Sequence, residues 1–300
     1  MIVPEEFVAE RVTTSGAAGQ DWIDKLPDVV EDLAAKWHVE LTDDAPRHGA
    51  AALVVFGTRR DEPCALKVCW RDHDAASEAA ALRAWDGGGA ARLFGYSDEH
   101  NALLLEKLDP ARSLQDLDLP AAAAVVGGLI RQLAIPAPEG MKPSLTAAGA
   151  ARAIPAQNAA LRAVPDGWAR LATGLAEGIA AADGHMLIHT DLHSDNVLAA
   201  ERQPWLAVDP RPSIGHPERS VPDLLLWRLP LSGPAAEVAD LLDTMIAAGD
   251  LDAERAYAWM VISAVGHWLW CQGEDADLPP GAPRCTICAP RCSRVLEALT

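Results

Sequence analysis

The pattern of the chain changes near Pro110, and this change constrains its fold more than any other feature. Before Pro110, short apolar runs of strand length alternate with turn residues. After it, alanine- and leucine-rich stretches of helical length follow one another, with prolines in the breaks. We therefore predict an α+β protein with two lobes. A small β-rich N-terminal lobe would span residues 1–105, and a larger, mostly helical C-terminal lobe would span residues 106–300.

The N-terminal lobe is predicted to contain two helices and two pairs of strands. An amphipathic helix within residues 22–40 would begin near Pro27, because apolar residues recur at helical spacing after it. A second helix, residues 74–85, would be capped by Asp74 and ended by three glycines. The predicted strands are 50–57, 64–70, 91–96 and 102–108, and "TRRDEP" would join the first two as a hairpin.

The C-terminal lobe is predicted to be helical apart from one small hairpin, formed by residues 197–200 and 205–209. The predicted helices are 120–134, 146–163, 167–182, 221–227, 234–248, 253–271 and 290–299.

The net charge of the 300-residue chain is −18 at pH 7. Such a surface repels phosphates, so we expect no nucleic-acid partner. It favours a cationic small-molecule ligand, although solubility alone also explains it. The start "MIVPEEFVAE" is not a secretory signal, and no apolar run reaches the roughly 20 residues that span a membrane. We therefore expect a cytoplasmic protein without a membrane partner, a monomer or homodimer, with its six cysteines reduced.

The cysteines near the C-terminus leave two interpretations open. Cys285, Cys288 and Cys292 form a C-x2-C-x3-C cluster, and His267 and Cys271 precede it. Three thiolates and an imidazole could hold zinc. The flanking pattern is not that of a standard zinc finger, however, and cysteine is often a small buried apolar residue.

The densest group of functional side chains is "HTDLHSDNVL", residues 189–198. His189, Asp191 and Asn196 have the spacing H-x-D-x4-N, and Asp209 ends an apolar strand thirteen residues after Asn196. Phosphoryl transfer needs a carboxylate that orients the attacking hydroxyl and takes its proton, together with oxygen ligands for Mg²⁺. We predict Asp191 as the catalytic base, and Asn196 and Asp209 as the metal ligands.

The N-terminal lobe supplies residues suited to binding a nucleotide. Lys67 lies inside the apolar strand "ALKVCW", where an ammonium is costly unless a partner neutralises it, and the next helix offers Glu78. Such a pair holds the ammonium towards the α- and β-phosphates of ATP. Each residue alone is equally well explained as a surface charge. The segment between the lobes, "ALLLEKLDP", could offer the carbonyl of Glu106 and the amide of Leu108 to adenine.

These residues resemble the aminoglycoside phosphotransferase superfamily and, within it, the streptomycin 6-kinase and hydroxyurea phosphotransferase family. The resemblance is carried by "WIDKLP" (22–27) with "KWHVEL" (36–41), "EAAALRAWDGGGAARLFGY" (78–96) with "LLLEKLDP" (103–110), "LIHTDLHSDNVL" (187–198) and "WLAVDPRPSIGHP" (205–217). It implies a protein-kinase-like two-lobed fold, with ATP and Mg²⁺ as cofactors. It also implies the nucleotide, base and metal roles given above, and a hydrogen-bonding, supporting role for His189.

Some positions depart from the family pattern. Thr190 stands where aminoglycoside kinases usually have glycine, and the phosphate loop "PRHGAAALVVFG" holds only Gly49 and Gly57. After residue 215 the usual Gly-Asp-Pro run is absent, and Asp223 could replace its acidic residue or simply cap a helix. The acceptor side is therefore less well matched than the nucleotide side, and His193, Asp223 and Trp227 are the candidate acceptor contacts, with core packing as the alternative.

Two rival interpretations belong to other functional classes. His189, Asp191, His193 and Asp195 alternate, so a strand would place all four on one face, as in a metallohydrolase. The thin glycine loop would also suit a kinase-shaped binding protein that has lost catalysis.

The sequence thus predicts an ATP- and Mg²⁺-dependent O-phosphotransferase that acts on an alcohol group of a small cationic molecule. An aminoglycoside, as for a streptomycin 6-kinase with a role in antibiotic resistance, is the first candidate. A sugar, an amino sugar or a hydroxyurea-like metabolite is the alternative acceptor.

Overall fold

The computed structural model describes residues 3–141, 143, 146–180, 184–277 and 285–300. The chain forms two compact units, Met1–Asp109 and Pro110–Thr300. The sequence placed this division between residues 105 and 106. No helix among the described residues combines the length and the apolar character needed to cross a bilayer.

The first unit is built on a six-stranded antiparallel sheet with the strand order β1-β3-β4-β6-β5, and β2 pairs with β3. Its elements are α1 (Glu5–Trp37), β1 (Glu40–Leu41), β2 (Arg47–His48), β3 (Ala52–Arg59), β4 (Glu62–Cys69), α2 (Ala75–Trp85), β5 (Leu93–Ser97) and β6 (Ala102–Glu106).

The first helix is much longer than predicted. The sequence placed its start near Pro27, whereas α1 begins at Glu5, bends at Gly16 and contains Pro27 in its interior. Proline removes one hydrogen bond from a helix, but packing of an apolar face can outweigh that loss. Here the buried face continues on both sides of Pro27, through residues 23, 26, 30 and 33, and joins one core with strands β3, β4 and β6.

The predicted hairpin between the first two long strands is confirmed. Arg60 and Asp61 both have positive φ, 51° and 66°, which is the conformation of a two-residue type I′ turn. The turn fixes the register of β3 and β4, so that Lys67 lies opposite Val54. On its other side Lys67 is opposite Leu103 of β6. Lys67 therefore lies on a central strand of the sheet, with a paired strand on each side.

Gly57 does not belong to an open phosphate loop. A Cβ atom at this position would lie 2.5 Å from a Val39 methyl group and 2.8 Å from the Glu40 carbonyl oxygen, so glycine lets β1 approach β3. Gly49 has open space around it. Of the two glycines in the predicted loop, only Gly49 is free of this packing constraint.

The second unit contains helices and two three-stranded sheets, with the strand orders β11-β10-β7 and β12-β9-β8. Its elements are β7 (Asp109–Ser113), α3 (Leu119–Leu133), β8 (Ile135–Pro136), α4 (Ala147–Leu161), α5 (Asp166–Ile179), β9 (Met186–His189), β10 (Val197–Ala199), β11 (Trp205–Ala207), β12 (Pro212–Gly215), α6 (Pro222–Arg228), α7 (Ala235–Gly249), α8 (Ala253–Asp277) and α9 (Cys288–Leu299).

The predicted helices of this unit are all present, and α8 extends beyond its predicted end at residue 271. The last two residues of the predicted helix 167–182 lie outside the described residues. The sequence missed β7, β8, β9 and β12, which have only two to five residues. Strands β10 and β11 are equally short, but the turn "ERQP" between them marked them as a hairpin. The pairing of β9 with β12 nevertheless matters for the site, since it brings His189 opposite Pro212.

Helix α3 packs against α7 at a glycine, which gives a test of this packing. A Cβ atom at Gly127 would lie 2.6 Å from the Met245 carbonyl oxygen, whereas one at Gly128 would meet nothing within 4 Å. We expect Gly127→Ala to lower the free energy of unfolding by about 1–3 kcal/mol through overpacking. Gly128→Ala, the matched control, should leave it unchanged or raise it by up to about 1 kcal/mol. Urea denaturation measures both, and equal effects would contradict the described α3–α7 contact.

Candidate active site

His189 anchors the start of the loop that carries Asp191. It ends strand β9 and is almost fully buried, with 1% of its surface exposed. Its Nδ1 accepts a hydrogen bond from the Asp191 backbone N–H at 3.1 Å, so in the neutral ring its Nε2–H donates to the Val208 carbonyl, 3.2 Å away. The imidazole thus connects the loop to the residue before Asp209.

The Asp191 carboxylate lies among polar side chains on a partly buried loop, with 19% of its side chain exposed. The amide nitrogen of Asn196 donates to the Asp191 carbonyl at 3.0 Å and approaches its Oδ2 at 3.4 Å. The guanidinium Nε of Arg211 is also 3.4 Å from Oδ2, and the Nε2 of His193 is 3.9 Å from Oδ1. Polar groups therefore lie beside both oxygens of the carboxylate, and they restrict its orientation.

Burial raises the pKa of Asp191 above its ordinary value, and the negative charge of Asp209 raises it further. The positive charges of His193, Arg211 and Arg219 oppose this shift. A desolvated carboxylate that keeps its charge only with the help of nearby cations is a stronger proton acceptor than one in water.

The β10–β11 hairpin brings Asn196 and Asp209 together. Val197 pairs with Ala207, and the Val208 N–H donates to the Asn196 carbonyl at 2.9 Å, so the two residues flank the same end of the hairpin. Asp209 has a positive φ of 50°, a conformation that Asp adopts more readily than most residues. The predicted return of the chain towards Asn196 is confirmed, although the sequence could not reveal this backbone conformation.

The metallohydrolase interpretation required His189, Asp191, His193 and Asp195 to lie on one strand, and this is wrong. Only His189 belongs to β9. His193 caps a short 3₁₀ turn, Ser194–Asn196, by accepting from the Asp195 N–H, so the chain has already left the extended conformation.

Asp223, at the start of α6, faces the same region. Its Oδ2 atom is buried and has no hydrogen-bond partner among the described residues. Burial raises the pKa of Asp223 to about 7, and the Asp191 charge contributes to this rise, while Arg219 and a hydrogen bond from the Leu192 backbone oppose it.

Trp227 and His193 form an aromatic contact beside Asp191. Their ring centroids are 5.8 Å apart, and Trp227 is 50% exposed, so its indole offers an open apolar face. On its other side Trp227 contacts the ring of His267 at 5.4 Å.

In the first unit, Lys67 and Glu78 form a buried ion pair. The ammonium lies 2.9 and 2.7 Å from the two carboxylate oxygens, and both side chains are at most 6% exposed. The sequence missed a third member, His73, whose Nε2 lies 2.7 Å from Glu78 Oε2. His73 lies in the loop between β4 and α2, where the sequence gives no periodic signal, which explains the omission.

The residues predicted to contact adenine lie at the end of β6. Glu106 is its last residue, and its N–H donates to the Arg92 carbonyl at 2.9 Å. Leu108 is buried two residues later. Arg211 and Arg219, both missed from the sequence, carry the positive charges that act on Asp191.

Comparison with known protein sequences gives a consistent result. The sequence model of the family described as aminoglycoside/hydroxyurea antibiotic resistance kinase matches residues 36–274. A hydroxyurea phosphotransferase of Kitasatospora aureofaciens is 39% identical, over 92% of this chain and 82% of its own length. A streptomycin 6-kinase of Streptomyces griseus is 34% identical, over 99% of this chain and 96% of its own.

Solved structures share the fold at low sequence identity. The choline kinase LicA from Streptococcus pneumoniae has a TM-score of 0.60 at 10% identity, covering 91% of this chain and 98% of its own. A thermostable mutant of aminoglycoside phosphotransferase APH(4)-Ia, in a ternary complex with ADP and hygromycin B, has a TM-score of 0.59 at 13% identity, covering 90% of this chain and 97% of its own. The predicted kinase-like α+β fold and phosphotransferase class are thereby confirmed, and the chain belongs to the aminoglycoside/hydroxyurea antibiotic resistance kinase family.

Proposed function

We propose that the chain transfers the γ-phosphoryl group of ATP, with Mg²⁺, to a hydroxyl group of a small cationic molecule, and that an aminoglycoside is its first candidate acceptor. The observation that carries the proposal is the Asp191 carboxylate, which is desolvated and held by Asn196 and Arg211. The ATP substrate would place the protein in the cytoplasm.

Asp191 would act as the base. Its carboxylate would accept a hydrogen bond from the acceptor hydroxyl, orient the oxygen towards the γ-phosphorus and take the proton as the new P–O bond forms. Orientation contributes as much as proton transfer in such reactions, and the hydrogen bonds from the loop to His189 and Asn196 supply that orientation.

Asn196 and Asp209 fit a Mg²⁺ site. The Asn196 amide nitrogen points to Asp191, so the amide oxygen is turned to the other side, and Asp209 lies close enough to Asp191 to raise its pKa. A carboxylate and a neighbouring amide oxygen are hard ligands of the kind that Mg²⁺ prefers. When bound, the ion would neutralise negative charge on the phosphates.

Lys67 would contact the α- and β-phosphates, and Glu78 would hold its ammonium in place. A buried ion pair costs desolvation free energy, so its presence favours a functional role over a purely stabilising one. The contact from His73 leaves Glu78 with two cationic or donor neighbours. Glu106 and Leu108 would offer their backbone carbonyl and amide to adenine.

His193, Trp227 and Asp223 would border the acceptor. The exposed face of Trp227 could stack against a cationic group, and the net charge of −18 suits such a ligand. The names of the relatives suggest streptomycin, and the hydroxyurea phosphotransferase, at 39% identity, makes hydroxyurea the second candidate. A catalytically inactive protein is disfavoured, because Lys67, Glu78, Asp191, Asn196 and Asp209 are all retained.

The first prediction concerns phosphate transfer and Asp191. With ATP and Mg²⁺, the protein should add one phosphate, detected by mass spectrometry, to streptomycin or hydroxyurea in preference to neutral sugars. Asp191→Asn should lower kcat by about 10²-fold or more, because it removes the base, while ATP binding measured by calorimetry is kept. Asp195→Asn, on the same loop but exposed, should stay within about threefold of the unchanged protein. If Asp191→Asn keeps turnover within about threefold of the unchanged protein, Asp191 is not the base.

The second prediction concerns Lys67. Lys67→Ala should raise KM for ATP and lower kcat without changing the preference among acceptors, whereas Lys25→Ala, which breaks an ion pair with the exposed Asp21, should change neither. Removing Lys67 also leaves Glu78 as a buried charge, at a cost of about 3–5 kcal/mol. A Lys67→Met, Glu78→Gln double variant removes both charges and separates folding from ATP use. An altered acceptor preference would contradict the assignment of Lys67.

The third prediction uses the raised pKa of Asp223. Its unfolded pKa is near 3.9, so between about pH 4 and 7 the folded state holds a proton that the unfolded state has lost, and stability falls as pH rises. Asp223→Asn removes this penalty. Relative to the unchanged protein, the free energy of unfolding of the variant should rise by about 1–4 kcal/mol as the pH is raised from 4.5 to 8, as measured by urea denaturation. Asp240→Asn, on the exposed face of α7, should show no such trend, and a flat difference for Asp223→Asn would refute the burial of that carboxyl.

A further inference from the structure

A second group of chemically reactive side chains lies on helix α8 and the start of α9, apart from Asp191. His267 and Cys271 are four residues apart on α8, so the helical repeat places both on one face. Cys288 is the first residue of α9, and its Sγ lies 3.5 Å from His267 Nε2. The Sγ of Cys271 lies 3.8 Å from the same nitrogen.

Cys285 completes the group with a fourth donor. It precedes Cys288 in a C-x2-C spacing, and the two sulfur atoms are 3.0 Å apart. The Cys288 N–H also donates to the Cys285 sulfur at 3.4 Å. Hydrogen bonds of this kind from backbone to thiolate are common where two cysteines of a short loop share one ion.

The nitrogen–sulfur separations are close to those that a tetrahedral zinc ion requires, whereas the sulfur atoms lie closer together than the roughly 3.8 Å that such an ion sets. With Zn–S near 2.3 Å and Zn–N near 2.0–2.1 Å, tetrahedral geometry sets the nitrogen–sulfur distance at about 3.5 Å. The two measured nitrogen–sulfur distances are 3.5 and 3.8 Å. Cys271 and Cys288 form a disulfide in this structure, with Cα atoms 6.6 Å apart, whereas the sequence predicted that all six cysteines are reduced. A disulfide uses these two sulfur atoms and leaves the approach of His267 to both of them unexplained.

We propose that His267, Cys271, Cys285 and Cys288 form a structural Zn²⁺ site in the reduced protein. Binding replaces the protons of three thiols, which leave to solvent, and the neutral imidazole donates the fourth electron pair. Thiolate and imidazole ligands select Zn²⁺ over Mg²⁺, so this site does not compete with the proposed magnesium site. The resulting net charge of −1 is offset by Arg291, whose guanidinium interacts with Cys285.

The site would fix the C-terminal helix against the region that borders the acceptor. Arg291, three residues after Cys288, donates to the carbonyls of Leu226, Trp227 and Leu229 at the end of α6. The His267 ring contacts Trp227, and Trp227 contacts His193. Zinc would thus cross-link α8 to α9. Through the contact of His267 with Trp227, it would also fix the position of the Trp227 indole.

Cys292 is not a ligand of this site, although it belongs to the C-x2-C-x3-C pattern. It is fully buried one helical turn after Cys288, and its thiol has a hydrogen bond with the Trp268 backbone. The donors within 4.8 Å of one another are those of His267, Cys271 and Cys288, and Cys285 is added to them because its Sγ lies 3.0 Å from that of Cys288. Cys69, His73 and Glu78 form another close group, but both Glu78 oxygens bind the Lys67 ammonium. Cys292 and Cys69 therefore serve as controls.

The test measures metal content in the full chain, purified anaerobically with a phosphine reductant. Mass spectrometry of metals should find about one zinc per chain, and less than about a tenth of that in Cys288→Ala. Cys292→Ala, Cys69→Ala and the Asp191→Asn variant should keep the full amount. Replacing zinc by Co²⁺ should give thiolate-to-cobalt charge-transfer and tetrahedral ligand-field absorption bands. Chelation should lower Tm by about 5 °C or more, restored by Zn²⁺ and not by Mg²⁺.

Three results would overturn the proposal. They are a reduced protein that binds neither Zn²⁺ nor Co²⁺, full metal content in Cys288→Ala, or an intact Cys271–Cys288 disulfide without metal after anaerobic purification. Because Asp191→Asn abolishes turnover but keeps zinc, failure of the zinc site and failure of the proposed phosphotransferase function give different results.

Discussion

The hydrogen bonds of His189 are the interaction on which the site depends. One ring nitrogen accepts from the Asp191 backbone, and the other faces the Val208 carbonyl. A single buried imidazole therefore sets the distance between the segment that carries Asp191 and the strand that leads to Asp209. The ring is neutral in this arrangement, because it accepts a hydrogen bond on one side and donates one on the other. His189 thereby positions Asp191 relative to Asp209, while the β10–β11 hairpin and the hydrogen bond to the Asp191 carbonyl position Asn196.

The two units supply different chemistry from different architecture. In the first, a sheet covered by α1 buries an ammonium and a carboxylate that neutralise each other. In the second, short strands hold a loop whose carboxylates repel each other and are balanced by Arg211 and Arg219. The first arrangement offers a fixed positive charge suited to phosphates, and the second a desolvated base suited to a hydroxyl group.

The comparisons show how much of this arrangement a fold can preserve. Chains only 10–13% identical share the fold over about nine tenths of this sequence. Relatives at 34–39% identity define the family.

The aromatic contacts of Trp227 with His193 and His267 connect the catalytic loop of this chain to the cysteine-bearing end of α8 and α9. The proposed zinc site would make that end of the molecule part of the acceptor-binding architecture.

The sequence by itself determined the family, the fold class and most helices, because long periodic segments and spaced motifs such as H-x-D-x4-N are local properties. It also indicated the Lys67–Glu78 pair, because an ammonium inside an apolar strand demands a partner. Only the tertiary structure decided that Pro27 lies inside a helix, that Gly57 serves packing, and that His73 joins Glu78. It also decided which thiols converge on His267. These features depend on contacts between residues distant in the chain, or on packing that overrides local propensity, so no local pattern records them.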